Sequence, residues 1–253
     1  MRARDEHFYV VKFQNNPQHP RVLANELLAS RLAIGLGLPS PTAEIIEVEE
    51  WLIKNTPELT ILLAGRALPC QHGLQFGSRY VVDPTAEAAQ VFDFLPETMI
   101  HRVRNLETFA GILAFDKWTG NANGRQAAFW KRARASKYTV SFIDQGSCFN
   151  AGEWNFADSP LRGVYARNPV YAGVTGWASF EPWLGRIEAI SKAELDALAD
   201  LIPCEWYGDY DDLARLVREL WERRRCVRQL IEDFRVSSRA PFPNWRQEKA
   251  HVN

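Results

Sequence analysis

The stretch Phe142-Ile143-Asp144-Gln145-Gly146 sets an acidic residue at the end of an apolar run and a glycine two residues after it. The apolar run predicts a buried strand, and Asp and Gly after a strand favour a turn. The same arrangement presents a carboxylate that can bind a divalent cation accompanying phosphates. The stretch alone leaves both interpretations of Asp144 open.

A second motif lies near the N-terminus. Phe8-Tyr9-Val10-Val11-Lys12-Phe13 is rich in β-branched and aromatic residues and carries one charge, so it predicts a strand with a lysine. Apolar residues at helical spacing from Arg21 to Leu36 predict a helix that carries Glu26. Either charged residue alone is typical of a solvated surface. Together they match the ion pair with which kinases direct a strand lysine at nucleotide phosphates.

The other predicted elements, taken in chain order, complete a recognisable arrangement. They are strands at 43–48, 59–63 and about 73–76, a helix at 98–118, a polar loop at 115–126, a hairpin at 127–130 and 138–143, an irregular aromatic-rich segment at 150–182, a helix at 211–234 and a loose tail after 237. Strand lysine, helix glutamate, strands, helix, polar loop, hairpin and Asp-x-Gly is the order of functional parts in a protein-kinase-like fold.

The composition argues against several classes of function. The 253 residues carry 30 basic and 31 acidic side chains, and the net charge of -1 gives no field to attract nucleic acid or an acidic membrane. The N-terminus lacks the apolar core of a signal peptide, and no stretch approaches the ~18 apolar residues of a membrane span. The four cysteines form no CxxC pair and indicate reduced, mostly buried thiols. We expect a cytoplasmic protein without a membrane or a direct nucleic-acid partner.

On these motifs the sequence resembles the HipA-like kinase family over most of its length. The resemblance rests on four segments, namely Tyr9-Val10-Val11-Lys12-Phe13, Asn25-Glu26 with the helix ending Leu36-Gly37-Leu38-Pro39-Ser40-Pro41, the loop at 115–126, and Ile143-Asp144-Gln145-Gly146. It implies an α+β, two-lobed fold with a small β-rich lobe at 1–80 and a larger, mainly helical lobe at 81–253. Relatives usually have a further strand and a phosphate-covering turn before the lysine strand. About seven residues precede that strand here, so we expect a late start or a missing cover.

The resemblance also implies roles for individual residues. It implies that Lys12 contacts the phosphates of ATP, that Glu26 positions Lys12, and that Asp144 binds Mg²⁺. The family's catalytic loop has the form D-x-H/R-x-x-N, and matching Phe115 and Gly120 to the family's helix end and glycine places its aspartate on Asn123. The closing asparagine then falls on Ala128. Neither residue can do the usual work, because an amide has no charge to orient a hydroxyl proton and a methyl group offers no oxygen to a metal.

A second register of the loop stays open. Asp116 and Asn121 have the same D-x-x-x-x-N spacing and would act from the end of the helix. In the first register, Asp116 caps or holds the loop, and Asn121 and Arg125 lie near the nucleotide.

Two functions follow from the resemblance. The first is phosphoryl transfer from ATP, with Mg²⁺, to a Ser or Thr of an unknown protein substrate. The second is a pseudokinase that binds nucleotide or a protein partner without catalysis, as Asn123 and Ala128 indicate.

Overall fold

A computed structural model describes residues 1–85 and 89–246 of the chain. In this part of the chain the backbone forms eight strands and seven α-helices. The strands are β1 (Tyr9–Lys12), β2 (Ala43–Val48), β3 (Thr60–Leu63), β4 (Arg66–Pro69), β5 (Gly73–Arg79), β6 (Gln90–Phe92), β7 (Gln126–Lys131) and β8 (Thr139–Ile143). The helices are α1 (Val22–Gly35), α2 (Glu50–Asn55), α3 (Thr108–Thr119), α4 (Trp183–Ala189), α5 (Lys192–Ala199), α6 (Tyr210–Arg223) and α7 (Val227–Arg235).

The N-terminal region is built on an antiparallel sheet in the order β1-β5-β2. Lys12, the last residue of β1, pairs with Phe76 of β5. Helix α1 contacts the strands β2 and β5 and the helices α3 and α5. Eleven of its fourteen residues are buried, so α1 is a core helix rather than an amphipathic surface helix. The predicted strand at 8–13 and helix at 21–36 are confirmed, and Glu26 lies inside the protein.

The C-terminal region contains a second antiparallel sheet, in the order β6-β7-β8. The predicted hairpin is confirmed as β7 and β8, with Gln126 opposite Ile143. Helix α3 packs on this sheet, and the ring centroid of Phe109 lies 5.2 Å from that of Phe142. Because β8 ends at Ile143, Asp144 emerges where the sheet meets α1.

The predicted helix at 98–118 is wrong in its first half. A 3₁₀ helix covers Glu97–Arg102, and α3 begins only at Thr108. Between them, the amide of Asn105 donates to the carbonyl of Val140 at 3.0 Å and its side-chain oxygen accepts from the Val140 N–H at 2.9 Å. An Asn side chain that bonds backbone in this way competes with helix formation, and it ties the segment to β8 instead.

The predicted helix at 211–234 is interrupted. The N–H groups of Arg225 and Cys226 donate to carbonyls only three residues back, and this tight turn separates α6 from α7. The apolar pattern hides the break, because Leu220 and Val227 are seven residues apart and both are buried. The tail after 237 is also more ordered than expected as far as residue 246. Phe242 is buried there, and its ring centroid lies 5.8 Å from that of Phe234.

Two further expectations concern the thiols and the membrane. All four cysteines are free, but Cys204 and Cys226 are exposed, which corrects the prediction of mostly buried thiols. Burial raises the pKa of the Cys148 thiol to about 12. In the described ranges, no helix has the length and apolar character needed to cross a membrane.

Candidate functional site

Lys12 is the centre of a charged cluster between the two sheets. Its Nζ lies 2.5 Å from Oε1 of Glu26 and 2.6 Å from Oδ1 of Asp144, residues that are 14 and 132 positions away in the chain. Burial acts to lower the pKa of Lys12, but the two carboxylates outweigh it and hold that pKa above its ordinary value. The ammonium group therefore stays charged and links β1, α1 and the end of β8.

Glu26 is held from both sides. Its side chain is 3% exposed, and Oε2 accepts a hydrogen bond of 2.9 Å from the backbone N–H of Gln145. Burial raises the pKa of the Glu26 carboxyl, against the lowering effect of Lys12. A buried carboxylate with one charged donor and one backbone donor is a rigid partner, so Glu26 fixes where the lysine points.

Asp144 takes a backbone conformation that few L-residues adopt, with φ of 60°. Asp tolerates this left-handed region better than most residues. Burial acts to raise the pKa of the Asp144 carboxyl, but Lys12 and the neighbouring donors outweigh it and lower that pKa, so the group is an anion at neutral pH. Its second oxygen, Oδ2, accepts a hydrogen bond of 2.5 Å from Nε2 of Gln126. The turn thus presents a charged carboxylate between two donors.

Gly146 is required by the closeness of α1. A Cβ at this position would meet Cγ2 of Val22 at 2.8 Å and Oε1 of Glu26 at 3.1 Å. The carbonyl of Gly146 accepts a hydrogen bond of 2.9 Å from the side-chain amide of Asn25, and it also lies 2.9 Å from Nε2 of His19. The glycine of the Asp-x-Gly motif therefore allows the chain after Asp144 to pack directly on α1.

The polar loop is organised around a buried ion pair. Arg125 donates from Nε to Oδ2 of Asp116 at 2.9 Å and from Nη2 to Oδ1, and both side chains are fully buried. Asn121 donates to the same carboxylate at 2.9 Å, and Arg125 donates from Nη1 to the carbonyl of Ile143 at 3.0 Å. Asp116 therefore holds the loop, and Arg125 ties the loop to the end of β8.

Asn123 and Ala128 lie in different surroundings. Asn123 is exposed, and its side-chain oxygen accepts from the N–H of Gly124 at 2.8 Å. Ala128 is buried in β7 and pairs with Ser141. Asp116 is the one acidic residue of the loop at 115–126, and it is buried. No carboxylate of the loop is therefore exposed to a substrate.

A cavity of about 440 Å³ opens next to the charged cluster. Lys12, Glu26 and Asp144 line one end, while Asp116, Asn121, Asn123 and Arg125 are not among its lining residues. Apolar side chains line much of the rest, including Val10, Phe76, Val91, Phe92 and Phe142. A larger cavity of about 610 Å³ near His7 and Arg132 lacks the charged cluster. The smaller cavity therefore combines an apolar slot with a charged end.

The cavity also contains a polar residue that sequence reasoning missed. Gln126 is exposed, lines the cavity and bonds Asp144. Its signal in the sequence was its place just before the predicted strand at 127–130, because hairpin pairing puts that position beside Ile143 and Asp144.

The oxygen atoms at this end of the cavity fit Mg²⁺. The described residues contain no group of three or more His, Cys, Asp or Glu arranged as a self-contained metal site. Magnesium is commonly held by one or two carboxylates with substrate phosphates and water, and Asp144 supplies such a carboxylate in the cavity lining. The residues present therefore suit a cation that arrives with a phosphorylated ligand.

Comparison with solved structures places the fold among protein kinases. The chain aligns with the Helicobacter pylori proinflammatory kinase CtkA at a TM-score of 0.55 and 14% identity, over 90% of each chain. It aligns with a Golgi casein kinase with Mn/ADP bound at a TM-score of 0.50 and 11% identity, over 94% of this chain and 70% of that chain. No curated protein sequence matches the chain significantly. The predicted two-lobed, kinase-like α+β fold is confirmed.

The family is shown by the sequence itself. A sequence model described as HipA-like kinase matches residues 1–160, which is more than half of the chain. The matched region includes the lysine strand, α1 with Glu26, the polar loop and the Asp-x-Gly turn. The chain belongs to the HipA-like kinase family.

Proposed function

We propose that the chain binds ATP with Mg²⁺ in the 440 Å³ cavity and transfers the γ-phosphoryl group to a Ser or Thr hydroxyl of a protein. The observation that carries the proposal is the position of Lys12, which contacts Glu26 and Asp144 at the charged end of an apolar slot. The slot has the character of a base-binding site, and the charged end that of a phosphate site. The sequence predicts a cytoplasmic protein, and ATP is abundant in that compartment.

The contacts of the three residues support a role for each of them. Glu26 would keep Lys12 in place, Lys12 would donate to the phosphates, and Asp144 would supply a carboxylate to the cation. Bound Mg²⁺ would neutralise charge on the phosphate oxygens. Phosphoryl transfer depends mostly on positioning and electrostatic stabilisation, so this arrangement supports a reaction even without an ideal base.

The loop limits the rate of this reaction. A general base contributes about 10²–10⁴-fold to a rate, and the aligned position holds the neutral Asn123. We therefore propose a slow kinase.

The second candidate is a nucleotide-binding module without catalysis. It is favoured by Asp116, whose two oxygens are both bonded to buried Arg125 and which therefore cannot serve a substrate.

The test is a thermal shift followed by a transfer assay on the same sample. ATP with Mg²⁺ is expected to stabilise the protein more than Mg²⁺ alone, and γ-phosphoryl transfer to the protein itself is expected to be slow but measurable. Stabilisation without any transfer would favour the nucleotide-binding module. No stabilisation by ATP with Mg²⁺ would contradict both functions.

Lys12→Ala is expected to weaken ATP binding without unfolding the protein. A hydrogen bond to a charged group contributes about 1.5–3 kcal/mol, or roughly tenfold to 100-fold in affinity. The fold should survive because Glu26, whose pKa burial already raises, can take up a proton and keep its bond to Gln145. Calorimetric titration with ATP and Mg²⁺ measures the affinity, and Lys192→Ala on exposed α5 is the control. A large fall in Tm would make Lys12 a structural residue.

Asn123→Asp is expected to accelerate transfer at least about tenfold, because it supplies the carboxylate that the loop lacks. ATP affinity should not change, since Asn123 is exposed and outside the cavity lining. The initial rate of γ-phosphoryl transfer measures the effect. Asn155→Asp adds the same charge at another exposed loop position and should leave the rate unchanged. Equal rates in both variants and the unmodified protein would refute the placement of the base position at Asn123.

A further inference from the structure

Gln126 occupies the position at which a second metal ligand would be useful. It is the first residue of β7 and pairs with Ile143, the residue before Asp144. Its side chain is exposed, lines the cavity and ends 2.5 Å from the Asp144 carboxylate. The carboxamide is thus adjacent to the group that holds the cation in the proposed function.

Ala128, which aligns with the family's loop asparagine, is less well placed for a metal ligand. It pairs with Ser141, three residues before Asp144 on β8, whereas Gln126 pairs next to Asp144. Residues two apart on a strand face the same side, so both side chains face the cavity, but Ala128 lies roughly 7 Å further along β7. The position closest to Asp144 carries an amide, and the more distant one carries a methyl group.

The chemistry of a carboxamide fits both states of such a site. Without a cation, the NH₂ group of Gln126 donates a hydrogen bond to Oδ2 of Asp144. This hydrogen bond satisfies the oxygen but leaves the charge of the carboxylate in place. Rotation of the terminal amide by about 180° replaces the donor with an oxygen, which is a ligand that Mg²⁺ and Mn²⁺ accept. No movement of β7 is needed for this exchange.

We propose that Gln126 supplies the second protein ligand, through its side-chain oxygen, to the divalent cation that Asp144 binds. The inference rests on the proposed function, since it concerns the cation that accompanies ATP. Gln126 takes the role of the family's loop asparagine from a position two residues earlier in the chain. Its longer side chain contacts the Asp144 carboxylate. The loss of an amide at Ala128 then does not remove the second ligand.

The test measures Mn²⁺ binding rather than activity. Mn²⁺ is titrated into the protein saturated with a non-hydrolysable ATP analogue, and free Mn²⁺ is followed by electron paramagnetic resonance. Gln126→Leu is expected to weaken Mn²⁺ binding at least about tenfold, with no change in metal-free analogue binding. Gln90→Leu is the matched control, because Gln90 is an exposed glutamine at the start of neighbouring β6 and is not among the cavity's lining residues.

Gln126→Glu separates a ligand from a residue that only orients Asp144. A glutamate keeps an oxygen for the cation, so Mn²⁺ binding should equal or exceed that of the unmodified protein. If Gln126 acts only as a hydrogen-bond donor to Asp144, the glutamate loses that bond and repels the carboxylate, and binding should fall as far as in Gln126→Leu. That second result would overturn the proposal, as would unchanged binding in Gln126→Leu.

Two further variants distinguish this inference from the proposed function. Ala128→Asn in the Gln126→Leu background should not restore Mn²⁺ binding, and full restoration would move the ligand position to residue 128. If the unmodified protein binds Mn²⁺ with the analogue and Asp144→Asn abolishes it while Gln126→Leu does not, the proposed function stands and the role of Gln126 is refuted. If the unmodified protein binds no Mn²⁺ with the analogue, both are refuted.

Discussion

Asp144→Asn is expected to abolish the Mg²⁺-dependent part of ATP binding while the protein stays folded. The variant keeps the size of the side chain and removes its charge. An interaction between unit charges about 4 Å apart near a protein surface is on the order of 4 kcal/mol. Losing an interaction of this size lowers an affinity by far more than tenfold. The fold should tolerate the change because the side chain is 22% exposed and Lys12 keeps its contact with Glu26. Calorimetric titration with ATP, with and without Mg²⁺, measures the effect.

The informative quantity is the difference in ATP affinity between the titrations with and without Mg²⁺. Asp144→Asn should bind ATP equally with and without Mg²⁺, whereas Asp196→Asn, a change on the exposed face of α5, should keep the full difference. If Mg²⁺ still strengthens ATP binding in Asp144→Asn, the cation is held elsewhere and the kinase-type metal site is wrong. A fall in Tm with no change in binding would make Asp144 a residue of the turn alone.

The charged cluster was predictable from sequence because each member belongs to, or directly follows, a strongly patterned element. Lys12 ends a β-branched run, Glu26 lies within a long apolar helix, and Asp144 follows an apolar strand. The order of these elements then brings together residues that are 132 positions apart. The local sequence pattern and the order of the elements in the family therefore both predict that Lys12 lies near Glu26 and Asp144.

The loop was less predictable because its register depends on contacts between distant residues. Asp116 and Arg125 have the appearance of surface charges in the sequence, but each neutralises the other in the core. The role of Gln126 depends on its register opposite Ile143, and Gln126 was not assigned to the site because the predicted strand began one residue after it. Similarly, the break before α3 depends on Asn105 bonding Val140. Pairings of this kind leave no periodic signal.

Asp116→Ala is expected to destabilise the protein by about 3–5 kcal/mol, because it leaves the Arg125 guanidinium buried without a counter-charge. The loss is large against a typical total of about 5–15 kcal/mol. Asn121 would lose its side-chain acceptor at the same time. Urea denaturation measures the free energy of unfolding. Asp196→Ala, which breaks an exposed pair with Lys192, is the control and should cost no more than about 0.5 kcal/mol.

The double variant Asp116→Leu with Arg125→Met tests whether the buried charge is the cause. Replacing a buried ion pair by apolar residues is often neutral for stability, so the double variant should recover most of what Asp116→Ala loses. The result also bears on the two registers of the loop. If Asp116→Ala keeps its stability and instead loses phosphoryl transfer, Asp116 is free to act as the loop acid and the register with Asn121 is correct. If the protein is destabilised as expected, the carboxylate is committed to Arg125, and a reaction at this site must proceed with the neutral Asn123.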